Sequence, residues 1–239
     1  MNRFTLVALC SLCLFSSCHM MFHRINGSGN VITRAREFSH FNGAEVGSAI
    51  DLYVKQDSSY SVKVEVDDNL QQYIMISESN GTLYIRQESN TNLRSTGKIK
   101  VYISAPQFVH LDASGASRII GQNSLTNSSA TDIRLSGSSE AQLDVKSPKV
   151  TLDLSGASHI MLQGQTKDLS ADADGASSIK GFDMLSENTD VGVSGASRAE
   201  VFGSVKINAN ASGASEVYYK GNGTLTKDES GASNIRKAD

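Results

Sequence analysis

The tetrapeptide Ser-Gly-Ala-Ser stands at 114–117, 155–158, 194–197, 212–215 and 230–233, with Ser-Gly-Ser-Ser at 136–139 and Asp-Gly-Ala-Ser at 174–177. Its glycines, Gly115, Gly137, Gly156, Gly175, Gly195, Gly213 and Gly231, are 18 to 22 residues apart. A unit that short cannot bury a core alone, and seven copies in register mark the coils of a solenoid. Four and two residues before each glycine stand Leu111/Ala113, Ile133/Leu135, Leu152/Leu154, Ala171/Ala173, Val191/Val193 and Ala209/Ala211. Four residues after it stand Ile119, Ala141, Ile160, Ile179, Ala199, Val217 and Ile235. Apolar residues at alternate positions on both sides of a corner describe one strand entering it and another leaving it. A period of 3.6 is absent, and Gly, Ser and Asn are too frequent for helix interiors. The expected fold is therefore all-β, a right-handed parallel β-helix (solenoid) with coils of about 18–22 residues; the hand follows from the general preference of parallel crossovers. In the last copy Lys227 and Glu229 replace the inward apolar pair, as capping of an end coil requires.

Before residue 107 the texture differs. Period-two runs rich in Val, Ile and Tyr occur at 49–54, 60–66, 82–86 and 98–103, each bounded by turn residues such as Asp57-Ser58-Ser59, Asp67-Asp68-Asn69 and Ser79-Asn80-Gly81. The chain thus divides into 1–17, 18–36, 37–107 and 108–239. The last two spans are the N-terminal strand part and the repeat coils of one head domain.

The first 17 residues read as an address. Arg3 is followed by an apolar run from Phe4 to Phe15, too short for the ~20 residues that cross a bilayer as a helix. The ending Leu14-Phe15-Ser16-Ser17-Cys18 resembles a bacterial lipobox in the relaxed Ser-Ser-Cys form of Bacteroidetes-like lipoproteins. That resemblance implies cleavage before Cys18, lipidation of Cys18 and attachment to the membrane through the lipid. The other cysteines, Cys10 and Cys13, leave with the leader, so thiol, disulfide and Cys–metal chemistry are not expected in the mature chain. Residues 18–36 contain Asn-Gly and Gly-Ser-Gly without clean periodicity and read as a tether. No acidic run follows Cys18, which favours an outer-membrane lipoprotein on the periplasmic side over the cell surface.

Twenty-two basic against 25 acidic residues leave no strong positive field for nucleic acid. No P-loop, dinucleotide fingerprint, HExxH, EF-hand or nucleophile elbow is present, and no cofactor is expected. Two features could carry chemistry. The repeated serines would need a base, and the histidines beyond the tether, His40, His110 and His159, show no triad spacing; a repeated corner demands repeated residues without any ligand. The outward positions three and five before each glycine include Asp112, Asp132, Asp153, Asp172, Asp190 and Asp228. Asp153 and Asp172 should be lateral neighbours one coil apart, with Asp174 further along the second coil; the row reads first as a solvated face that keeps a sheet soluble, and as the alternative a face for Ca²⁺ or a glycan.

The post-tether chain resembles the head GIN domain family, described as autotransporter adhesin-like. The resemblance is carried by Arg36 to Gly43 (REFSHFNG), Val46 to Gln56 (VGSAIDLYVKQ), Tyr60 to Asp67 (YSVKVEVD), Asn80 to Ile85 (NGTLYI), Lys100 to Pro106 (KVYISAP) and the Ser-Gly-Ala-Ser repeats. It implies a β-helical envelope lipoprotein and carries over no catalytic residues. No amphipathic strands for a translocating barrel follow in this sequence, so the autotransporter part is not expected here. The leading expectation is a non-enzymatic, lipid-anchored adhesin or scaffold, meeting glycans or envelope proteins. The rivals are a polysaccharide-binding or polysaccharide-cleaving β-helix using the acidic face, and a periplasmic module that contacts partner proteins through its N-terminal sheets.

Overall fold

A computed structural model describes residues 23–239. Cys18, with the leader, lies outside the described residues. The N-terminal part forms β1 His23–Asn26, β2 Val31–Arg36, β3 Gly43–Val46, β4 Asp51–Gln56, β5 Ser61–Asp67, a 3-10 helix Asp68–Tyr73, β6 Ile74–Ser79, β7 Thr82–Gln87, β8 Thr91–Arg94 and β9 Lys100–Ala105. The repeat part follows as β10 His110–Ala113, β11 Arg118–Gly121, β12 Leu125–Thr126, β13 Thr131–Leu135, β14 Glu140–Leu154, β15 His159–Ala173, β16 Ser178–Lys180 and β17 Met184–Val193. It ends with β18 Arg198–Phe202, β19 Lys206–Ala211, β20 Glu216–Lys220, β21 Thr224–Glu229 and β22 Asn234–Lys237.

The repeats stack as parallel strands with every glycine corner in line. Leu152 faces Ile133 on one side and Ala171 on the other, and Ile160 lies between Ala141 and Ile179. All the inward positions on both sides of the corners through Gly213 are buried, as is Ile235 beyond the last. The interior is a narrow column of Leu, Ile, Val and Ala, because each coil has room for one layer of side chains between its sheets. At the far end Lys227 pairs with Glu229 at 3.0 Å, and Glu229 also accepts the Ile235 N–H. The inward positions of that coil are thus charged and self-satisfied.

Two features depart from the sequence expectation. The first concerns residues 18–36, expected as a tether: from His23 onward they fold. β2 pairs antiparallel with β5 over Val31–Arg36, and β1 pairs in parallel with β8 as a separate two-stranded sheet. The Gly-Ser-Gly stretch reads as a linker but is a tight connection. Gly29 N–H donates to the Asp67 carboxylate at 2.8 Å, and Asp68 accepts from Ser28 and Asn30. The second departure is the turn signal at 67–69, which opens the 3-10 helix.

The N-terminal part is not a separate layer. β3 and β4 form one more coil lying directly against β10 and β11, on the side opposite β13 and β14. Beyond them β7 and β9 form another, so the chain enters at one level, travels outward, and returns past its own beginning. The antiparallel strands β6, β5 and β2 then close that end. The core there is larger, with Phe41 and Phe108 fully buried, their ring centroids 6.3 Å apart.

Candidate functional site

The corner serines come first, because seven copies of a nucleophile-type residue need an account. Ser117, Ser139, Ser158, Ser177, Ser197 and Ser215 are all buried. In Ser139, Ser158, Ser177 and Ser215 the hydroxyl donates to the carbonyl three residues earlier at 2.8 Å. From Gly137 to Gly213 the glycine carbonyl of a corner accepts the alanine N–H of the next coil, as in Ala157 to Gly137, Ala176 to Gly156 and Ala196 to Gly175, each 2.7 Å. These hydroxyls are consumed in holding the corner, and among the described residues none is bonded to a histidine or carboxylate. The serine repeat is structural.

The acidic face is as the repeat alignment places it. One outward row runs Glu45, Asp112, Arg134, Asp153, Asp172, Gly192, Asn210, Asp228 across successive strands. A second row, two residues earlier on each strand, runs His110, Asp132, Thr151, Ser170, Asp190, Asn208. At one end the carboxylates have nitrogen neighbours: His110 lies 3.3 Å from Asp132 and 3.7 Å from Glu45, and Arg134 lies 2.9 Å from Asp132. Further along, Asp153, Asp172 and Asp190 form no ion pair among the described residues. Partial burial, then the carboxylates of Asp153, Asp190 and Asp174, push the Asp172 carboxyl above its usual range. Burial and then Glu45 do the same to Asp112.

Gly192 shapes this region by lacking a side chain. A Cβ there would come within 2.5 Å of Asp172 Oδ1, so the carboxylate leans over the glycine. A shallow groove results, lined by Asp172, Asp174, Ser194, Asn210 and Asp228. Asp174 accepts the Ser194 hydroxyl. Among the described residues no three His, Cys, Asp or Glu side chains are placed to hold a metal together. Asp153 and Asp172 are in register one coil apart, and Asp174, two residues further along the second coil, lines the same groove with its carboxylate accepting from Ser194.

Sequence reasoning passed over the other outward face. Its central row runs Tyr102, Tyr53, Ile120, Gln142, Met161, Lys180, Glu200, Tyr218, Arg236. Beyond Tyr53 these residues all stand five after a corner glycine, so the same alignment contained them. Tyr53 and Tyr102 stack at 4.8 Å, and Tyr218 lies between the guanidinium groups of Arg198 and Arg236 at 4.1 and 4.5 Å. A groove of about 440 Å³ crosses this face, lined by Arg118, Ile120, Gln142, His159, Met161 and Lys180. Glu140, His159 and Ser178 stand side by side in register along its edge. Catalysis by such a trio needs a nucleophile–base and a base–carboxylate hydrogen bond, and the described residues show neither.

The fold and its surfaces define a β-solenoid whose coils carry broad outward sheets, capped at one end by antiparallel strands. The chain belongs to the family described as "Putative auto-transporter adhesin, head GIN domain", which matches residues 40–223. No curated protein matches it. Among solved structures it is similar to a putative adhesin from Bacteroides fragilis, at 21% identity and a TM-score of 0.82, over 90% of this chain and 100% of that one. A putative lipid binding protein from Parabacteroides distasonis is similar at 23% identity and 0.76, over 90% and 100% of the two chains. A putative adhesin from Parabacteroides merdae is similar at 17% identity and 0.71, over 91% and 100%. At these identities the likeness establishes the fold. Among the described residues no helix is long and apolar enough to cross a membrane.

Proposed function

We propose that this protein is a non-enzymatic, lipid-anchored component of the cell envelope that uses its solenoid as an adhesive or scaffolding surface. The observation that carries this reading is the fate of the repeat: its serines and glycines are spent on the corners, while the long in-register rows face solvent. Such rows suit an extended polymer or a partner's surface rather than a small enclosed substrate. The family description supports an adhesin-like role, and the names of the two adhesin relatives agree with it. Anchoring follows from the lipobox resemblance at Cys18, on an outer-membrane lipoprotein facing the periplasm. Two measurements test it together: labelled-lipid incorporation into wild type and Cys18→Ala, and surface protease accessibility in the same cells. Loss of no label in Cys18→Ala would remove the anchor.

A second reading is favoured by one observation, the unmatched pair Asp153 and Asp172 beside the Gly192 groove. Carboxylates at strand spacing, one of them with raised proton affinity, suit polysaccharide binding or cleavage. A glycan array followed by a reducing-sugar assay decides between the two. Turnover abolished by Asp172→Ala would replace the first reading by the second.

A further inference from the structure

The folding of residues 23–36 has a consequence for how the head stands on a membrane. Between Cys18 and His23, the first residue of β1, lie only His19, Met20, Met21 and Phe22. Five residue steps reach at most about 18 Å even when fully extended. A lipid on Cys18 would therefore keep β1 within that distance of the headgroups, and three of the four intervening residues are apolar.

β1 and β8 form a small sheet of their own. Ile25 and Leu93, paired across it, pack against the core. Alternation sends the neighbouring residues Arg24, Asn26, Asn92 and Arg94 to the opposite face, and all four are exposed. That face carries two guanidinium groups and no carboxylate. Neither arginine has an ion-pair partner among the described residues. Nor is the sheet a loose flap. Gly27 N–H donates to the Arg94 carbonyl, and the Asn69 amide donates to the Asn26 carbonyl at 2.9 Å. The buried Asp67 carboxylate accepts from Gly29 N, Ser95 Oγ, Thr96 N and Thr96 Oγ1 at 2.7 to 2.9 Å. The orientation of the sheet is thereby passed to the whole solenoid.

We propose that the outer face of the β1–β8 sheet is a docking surface for anionic phospholipid headgroups, on which the lipid-anchored head sits directly, capped end down. The proposal rests on the anchoring of Cys18. Guanidinium groups match phosphate geometry, and each basic residue near an anionic surface adds to retention. Asn26 and Asn92 supply further donors at the same level. The acidic rows, running along the solenoid from Glu45 to Asp228, then extend away from the negative surface rather than against it.

The test uses the full-length lipoprotein in phosphatidylglycerol-containing vesicles that carry an acceptor dye on the headgroups. With the leader removed and Cys18 acylated, Ser89→Cys or Asn234→Cys supplies a single free thiol for a donor dye. Ser89 stands two residues before β8, whereas β22 is separated from β9 by eight strand steps through β4, β11, β14, β15, β16, β18 and β20. That is roughly 40 Å. Energy transfer should be at least about twofold stronger at position 89, and Arg24→Glu with Arg94→Glu should cut it roughly by half, as should phosphatidylcholine vesicles. Equal transfer at both positions, or no response to the double substitution while the lipid remains on Cys18, overturns the docking surface alone. Absence of lipid from Cys18, read separately by labelled palmitate, overturns the anchor and the docking surface together.

Discussion

Replacing the corner glycines one at a time by alanine separates two costs that usually come mixed. Gly115 and Gly156 both sit at positive φ, +59° and +77°. An alanine there meets the left-handed penalty, about 1–2 kcal/mol. Their surroundings differ. At Gly115 the added Cβ would have only Ser48 N within reach, at 3.4 Å, an ordinary contact. At Gly156 it would lie 2.5 Å from the Gly137 carbonyl oxygen and 3.1 Å from Gly137 N. Those atoms are backbone, so the coils must part. The bond most exposed to that movement is Ala157 N–H to Gly137 O, 2.7 Å, worth about 1 kcal/mol net. Gly115→Ala should therefore lose about 1–2 kcal/mol and Gly156→Ala about 3–5, once the displaced packing around Leu154 and Leu135 is included. Urea unfolding of the two variants, followed by circular dichroism at neutral pH, measures both. Gly29→Ala, at φ +86° with nothing within 4 Å, isolates the conformational part. Equal losses at positions 115 and 156, or a larger one at 115, would refute the claim that coil-to-coil contact is what the repeat glycine protects.

Leu152→Ala, at a fully buried site between Ile133 and Ala171, should cost roughly 2–5 kcal/mol in the same assay. The coils lined by Ala171/Ala173 and Ala209/Ala211 bury less apolar surface and should exchange their amides first in denaturant; uniform exchange along the solenoid would contradict that. Burial opposes the charged form of Asp67, but hydrogen bonds from Ser95, Thr96 and Gly29 outweigh it and hold its carboxyl well below the usual range. A depressed folded value contributes stability that is complete above about pH 4 and lost as pH falls further. Asp67→Asn should lower stability at neutral pH and flatten that acid decline, seen as a melting temperature less dependent on pH below 4. Asp172 has the opposite sign: its raised value means that ionisation costs stability as pH rises through the carboxylate range. Asp172→Asn should gain up to about 0.5 kcal/mol at neutral pH and nothing once the wild-type carboxyl is protonated; a loss at pH 7 would show the carboxylate to be structural.

The candidate sites were unevenly legible. The acidic rows followed from counting back from each glycine, and the register placed Asp153 beside Asp172 as that count requires. The row containing Ile120, Met161 and Tyr218 obeys the same arithmetic five residues forward, but its mixture of apolar, amide and charged side chains carries no compositional signal. The turn of Asp174 toward Ser194 lay beyond any count, because it depends on side-chain direction at a bend. The fold at residues 23–36 was hidden for a related reason: Gly-Ser-Gly is the composition of a flexible linker, and the distant carboxylates of Asp67 and Asp68 make it a fixed one.

The sequence by itself determined the coil. A glycine every 18 to 22 residues, with apolar residues at fixed offsets, leaves no other periodic way to bury the chain. It also determined which side chains face inward, since alternation is a local property. What only the tertiary structure decided is the order of stacking at the N-terminal end. Val46-Gly47-Ser48-Ala49 is one more corner, and Ala49 N–H donates to Gly115 O at 3.1 Å, toward the following coil rather than back toward the cap as the later alanines donate. Yet the coil it belongs to lies between a coil that precedes it in space and follows it in sequence, β7 and β9, and the coil of β10 and β11. Strands with the same alternation can pair in any order. The choice among partners is made by contacts far apart in the chain, including the aromatic packing around Phe41 and Phe108 and the three antiparallel strands that close the end.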